Sequence, residues 1–304
     1  MRALLSVELR RMLARRLVRV LAALALVGIA IAGVTVAATS NPDLGPELAV
    51  AQRQVEQQRA LCEEAVSANP QDFPPNVDSE EFCRESIRVE FFYRDPRFHL
   101  TVLRDVLLGT AIFLVVGGWL LGASFMGAEW HSGTVATLLT WEPRRLWVFV
   151  AKLAAAAAVL FLLALVLQAV LGLVLALVAA LRGTTEGADV GWLRSVSGVA
   201  LRAAAITAMA GAMGFAIATI GRNTAAALGV GFAYLAVVEG LVRGLRPQWH
   251  RWLIGDNAGF FLTGQDGGFP PLGRSPLGAA AVIAVYAAVL LLVAVVAFRE
   301  RDVT

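Results

Sequence analysis

The chain has 304 residues, 58% of them hydrophobic and only 16% charged, with a formal net charge of +3. Soluble domains carry about 25% charged residues, so this composition excludes an ordinary soluble protein. The arginines follow the ends of apolar blocks and form no aromatic-interleaved patch, which argues against nucleic-acid binding.

Six apolar blocks are long enough to cross a bilayer, at roughly 17–38, 105–127, 148–181, 203–221, 223–242 and 277–298. A bilayer crossing takes about 20 residues. The expected fold is therefore all-α and polytopic, with six transmembrane helices. Arginines cluster before the first block (Arg2, Arg10, Arg11, Arg15, Arg16, Arg19), and more basic residues flank the second loop, the fourth loop and the C-terminus. The positive-inside rule then places both termini in the cytoplasm, at the inner (plasma) membrane. The fifth loop holds four arginines, but it is about 34 residues long and long loops obey the rule less well. The basic stretch is too long, and the apolar run too extended, for a cleaved signal peptide. The first block reads as a permanent anchor.

In chain order, residues 1–16 form a helix with Leu4, Leu5, Met12 and Leu13 among arginines. It either lies along the membrane surface with its basic side on anionic lipid, or is the inner end of the first membrane helix at 17–38. Residues 39–104 are the only substantial polar segment, with twelve acids and seven arginines, and topology puts them outside. A helix is expected over GPELAVAQRQVEQQRALCEEAV, and a second from Asp78, where Glu81 completes a capping box. Phe91, Phe92, Tyr93 and Phe98 lead back to the membrane as an aromatic belt. Cys62 and Cys83 are the only cysteines and both lie in this segment. On the oxidising side they read as a disulfide stapling a region too small for its own core, against the alternative of two free buried thiols.

Residues 105–304 hold the other five membrane helices. Between the first two of these lies GAEWHSGTVATLLTWEPRRLWVFVAKL, residues 127–153. It carries Glu129, the pair Gly133–Thr134, the pair Leu138–Leu139, then Pro143, Arg144 and Arg145, and finally Lys152, the only lysine in the chain. The long third block would let Lys152 snorkel from its inner end. Gln168, at mid-block, needs a hydrogen-bond partner or a wet cavity. In the fourth block Ala210, Gly211, Gly214 and Ala218 permit tight helix contact, either within a crowded bundle or at a dimer interface. Arg202 precedes that block and is placed to snorkel outward. Glu239 and Arg243 are spaced for a helical ion pair, which either anchors the helix end or lines a transport path. The Gly- and Pro-rich stretch 243–276 reads as short helices re-entering the outer leaflet, covered by protein.

The segment 127–153 resembles the ABC transporter type 2 permease family, in which an acid, Gly-Thr, paired leucines, a basic pair and a lysine lead into the next membrane helix. The six-helix layout, the interfacial helix, the outer segment and the closing FRERD, residues 298–302, extend the resemblance over most of the chain. The resemblance implies that residues 128–146 are a cytoplasmic coupling helix seated in a groove of a separate ATPase subunit. Glu129, His131, Gly133, Thr134, Leu138, Leu139, Arg144 and Arg145 would make that contact. It implies a homodimer of this chain over two ATPase copies, exporting a drug, peptide, lipid or natural product. ATP and Mg would be bound by the partner and no cofactor or metal by this chain. A lone lysine flanked by Ala151 and Leu153 cannot complete a phosphate-cradling Gly-Lys-Ser/Thr loop. The three histidines (His99, His131, His250) make no HExxH, and no GxSxG occurs, so no catalytic constellation is expected. The alternative is a non-transporting membrane binding or immunity protein using its outer segment.

Overall fold

The computed structural model describes residues 2–69, 71, 73, 78–265 and 272–300. These residues are helical, with no strand among them. Six helices are long and apolar enough to cross a membrane: Arg16–Thr39, Leu100–His131, Arg145–Arg182, Val190–Gly221, Thr224–Leu245 and Pro276–Glu300.

The chain divides into two compact units, one of residues 1–30, 101–173 and 188–304, the other of residues 31–100 and 174–187. The larger unit contains α1 (Arg2–Ala14), the start of α2 (Arg16–Thr39), α5 (Leu103–His131), α6 (Thr134–Trp141) and most of α7 (Arg145–Arg182). It continues with α8 (Val190–Gly221), α9 (Thr224–Phe232), a π-helical segment (Ala233–Val238), α10 (Glu239–Leu245), α11 (Ile254–Thr263) and α12 (Pro276–Glu300). Side-chain caps start several of these helices. Asp189 accepts from Trp192 N at 2.6 Å to open α8, and Asn223 accepts from Ala225 N at 2.8 Å to open α9. Arg222, in a left-handed conformation with φ 53°, separates the two.

Helices α5 and α8 form the closest pair. Their small residues let backbone meet backbone: a Cβ on Gly122 would collide with the Gly211 carbonyl, and one on Gly214 would meet the Trp119 carbonyl oxygen at 2.6 Å. The small-residue run of the fourth block is therefore used inside the chain. Around it two apolar clusters form. One gathers Phe125, Phe149, Phe215 and Phe298 at the end of the unit that carries the 132–144 turn. The other gathers Ile206, Met213, Phe260, Phe261 and Ile283 where α11 and α12 meet α8.

The smaller unit contains α3 (Gly45–Ala68) and α4 (Ser79–Ser86), with the adjoining ends of α2 and α7. Asp78 caps α4, accepting from Glu80 N at 2.9 Å and Glu81 N at 3.4 Å. Cys62 and Cys83 stand at disulfide distance, with a Cα–Cα separation of 5.9 Å, and no free cysteine remains. Ala51, Val55, Val66 and Cys83 are the buried apolar residues of α3 and α4, a core small enough to need the staple. Ser40 donates to Arg182 O at 2.6 Å and accepts from Phe98 N at 2.9 Å. Asp95 accepts from Arg97 at 2.7 Å. That side-chain bond, helped by the Arg97 backbone N–H and the charges of Arg97 and His99, holds the Asp95 carboxyl well below the ordinary carboxylate range.

Candidate functional site

Helix α5 runs to His131, and the chain then turns through Ser132 and Gly133. Gly133 adopts the left-handed region at φ 69°, where a Cβ is unfavourable. The turn leads into α6, only eight residues long, and Glu142–Arg144 connect it to α7. The expected coupling helix at 128–146 is thus the last turn of α5, a tight bend and a short separate helix.

This segment has two faces. Val135 is buried, and Leu138 and Leu139 pack partly buried against the aromatic cluster. Arg145 donates to the carbonyls of Phe298 and Arg299 at 3.4 and 3.1 Å, tying the start of α7 to the end of α12. The opposite face leaves His131, Ser132, Thr137, Thr140 and Arg144 exposed, and Trp141 is 85% exposed. An indole that bare, with an exposed arginine three residues on, brings together two of the residue types that dominate binding hot spots. Trp141 went unremarked in the sequence, where a tryptophan beside a membrane helix looks like an interfacial anchor.

Glu129 belongs to neither face. It is 6% exposed and turned into the bundle. Its Oε2 lies 2.6 Å from Lys152 Nζ and its Oε1 accepts from Arg15 at 3.1 Å. Lys152 is fully buried and also donates to Glu8 Oε2 at 2.8 Å. The snorkelling expected of Lys152 does not occur: α1 covers it and brings Glu8 as a counter-charge. Arg15 further donates to the carbonyls of Ser124 and Phe125 at 2.8 and 2.9 Å. The Phe125 ring lies within cation–π distance of both cations, 4.7 Å from the Arg15 guanidinium carbon and 5.2 Å from Lys152 Nζ. Three helices, α1, α5 and α7, are therefore joined through two acids and two cations, with the more exposed Arg11 also reaching Glu8 at 3.3 Å. Burying such charges is tolerable only when each has its partner. Glu8 and Arg15 were missed by sequence reasoning. Glu8 is the only acid before Asp43, and it shares the spacing 8, 12, 15 with buried Met12 and half-buried Arg15, the stripe that faces inward.

A second polar assembly surrounds α11. At its first turn, Ile254 N donates to Tyr234 Oη at 3.1 Å and Gly255 N to Glu239 Oε1 at 2.7 Å. Arg243 bridges Glu239 Oε2 and Asp256 Oδ1, both at 2.8 Å. At its other end, Arg202 donates to Phe261 O at 3.3 Å and Arg104 to Thr263 O at 2.9 Å. Acids at the N-terminus and arginines at the C-terminus both complement the helix dipole. The Glu239–Arg243 ion pair expected from spacing is present, and Asp256 extends it. Arg202 lies at the opposite end of the same short helix. Gln168 joins neither group: it is 2% exposed, Nε2 reaches Leu107 O at 3.4 Å, and Oε1 has no partner among the described residues. No group of three or more His, Cys, Asp or Glu side chains suited to a metal ion occurs among the described residues.

Six helices long and apolar enough to cross a membrane, two of them (α5 and α8) meeting through glycines, with a short two-faced turn-helix after α5, define a multi-pass α-helical membrane protein. The family model described as ABC-2 family transporter protein matches residues 2–248, and the chain belongs to that family. The matched stretch includes the turn-helix segment and the charge cluster, and ends before α11. No curated protein matches the chain.

Proposed function

We propose that this chain is the membrane permease subunit of an ATP-driven exporter, working with a separate ATPase that supplies ATP and Mg binding. The observation that carries the reading is the family match across the exposed turn-helix segment. His131, Trp141 and Arg144 form the docking face. Gly133 and Thr134 set the bend, Leu138 and Leu139 root α6 in the bundle, and Arg145 fixes α7 to α12. The role assigned to Glu129 is internal. Through Lys152 and Arg15 it makes α1, α5 and α7 move as one block when the docked helix is pushed.

Two copies of the chain with two ATPases would give a closed two-fold assembly, the form homo-oligomers favour. Large apolar side chains on α2 and α9–α10, among them Val34, Phe232 and Leu245, each at least 70% exposed, leave surface for lipid or a second copy to cover. The apolar bundle suits an amphipathic or hydrophobic cargo. The termini and the docking face lie in the cytoplasm of the inner membrane in this reading. The test is to reconstitute the chain with its ATPase in proteoliposomes and measure ATP hydrolysis and the mass of the complex. Two copies of each protein and coupled hydrolysis support the proposal. Hydrolysis by the purified chain alone, or one permease per assembly, contradicts it.

A further inference from the structure

The fifth membrane span is not a continuous α-helix: its centre, Ala233–Val238, is π-helical, and Glu239 N donates to Tyr234 O, the five-residue bond of that register. Those same two residues hold α11. Tyr234 Oη accepts from Ile254 N and Glu239 Oε1 from Gly255 N. Gly255 is the residue this approach requires, because a Cβ there would collide with the Glu239 carboxylate. Glu239 is itself 2% exposed, whereas its neighbours Leu235, Val237, Val238 and Leu241 are exposed at 44–56%. The outer half of the span is thus held to α11 by polar side chains, with little apolar packing of its own.

The register decides whether both bonds can exist. In a π turn, residues five apart stand one turn apart and share a face. In an α-helix, five residues advance about 500°, which places them about 140° apart. If segment 233–238 relaxed to the α register, Tyr234 and Glu239 could not both reach the first turn of α11.

We propose that this π segment is a register switch that latches α11. In the π register α11 is clamped against α8 and α12, and in the α register it is released. That release serves to open one end of the bundle rests on the transport reading, but the latch itself needs no ATPase and no cargo. α11 also lies beyond the stretch that the family model matches.

The test is hydrogen exchange on the full chain alone in lipid nanodiscs, following the amides of 254–263, with those of α5 and α8 as the check on folding. Tyr234→Phe and Glu239→Ala are expected to speed exchange in α11 about tenfold or more, with α5 and α8 unchanged. Deleting Val237 turns the span into a regular α-helix in which the two side chains, now four apart, again share a face. That variant is locked closed, and its α11 exchange falls at least about tenfold below wild type. Unchanged α11 exchange in both substitutions overturns the latch. Wild-type exchange in the Val237 deletion overturns the switch. If the deletion disturbs α5 and α8, deleting Leu235, which also lies between the two side chains, takes its place and must slow α11 exchange in the same way. Absence of any ATPase coupling in the wild-type chain, with these exchange results intact, would refute the transport reading and leave the latch standing.

Discussion

Replacing Lys152 by methionine removes one charge and little volume. The stem remains to fill its fully buried position, so the effect is electrostatic. Glu129 keeps Arg15 at 3.1 Å, whereas Glu8 keeps only Arg11 at 3.3 Å, and that guanidinium is 40% exposed. The loss therefore concentrates on Glu8, whose side chain has no exposed surface. Leaving a buried charge without its partner costs about 3–5 kcal/mol. The partial service of Arg11 places the expected value near the lower end, about 3 kcal/mol. Glu8→Gln in the same background removes the orphaned carboxylate and should return most of that loss. The measurement is a double-mutant cycle by equilibrium unfolding in mixed micelles, in which residues in contact show coupling and distant ones do not. A Lys152→Met variant within about 0.5 kcal/mol of wild type, the range of ordinary surface changes, would refute the argument that Glu8 depends on Lys152 as its buried counter-charge. So would additivity with Glu8→Gln.

Three further outcomes are expected. Gly133→Ala forces a Cβ into the left-handed region at about 1–2 kcal/mol, so exchange over 131–141 should quicken while α8 stays protected; unchanged exchange counts against the bend. Cys83→Ser opens a link across 21 residues of separation and should destabilise the α3–α4 pair by about 3 kcal/mol, read as protease cutting near residue 69 under non-reducing conditions; resistance equal to wild type would show the staple is dispensable. Asp95 has a depressed folded-state pKa, so its contribution is complete above the ordinary carboxylate range, about pH 4, and is lost as pH falls below it. Asp95→Asn should flatten the acid limb of the stability profile of that unit, and an identical limb in both proteins speaks against the Arg97 bond.

The six spans were legible from length and apolar content, and α4 from its cap. Asp78 sits where the sequence placed it, and the cysteines meet as their compartment suggested. The interior of the site was less legible. The family resemblance put Glu129 among the ATPase contacts, but its carboxylate meets Lys152 and Arg15, and Arg15 lies more than a hundred residues away, so only tertiary folding brings it near. Lys152 looked like a snorkelling cation because it stands at the inner end of a long apolar block, and its partner Glu8 lies 144 residues away in the sequence. The π segment left no trace in hydropathy, since one residue in an apolar run of 22 hardly alters its length or composition. What marks it is the polar pair Tyr234 and Glu239 five apart, a spacing with no shared face in an α-helix.

The central claim is that the exposed face of the turn-helix segment holds a separate ATPase. The direct measurement is the affinity of that ATPase for the chain in nanodiscs, for wild type and for the double variant Trp141→Ala/Arg144→Ala. Both residues are exposed and outside the bundle core, so the variant should fold as wild type does. The account predicts saturable binding weakened at least about tenfold in the variant, the loss of a hot spot worth about 1.4 kcal/mol or more. Equal binding by both proteins, or none by the wild type, would contradict it.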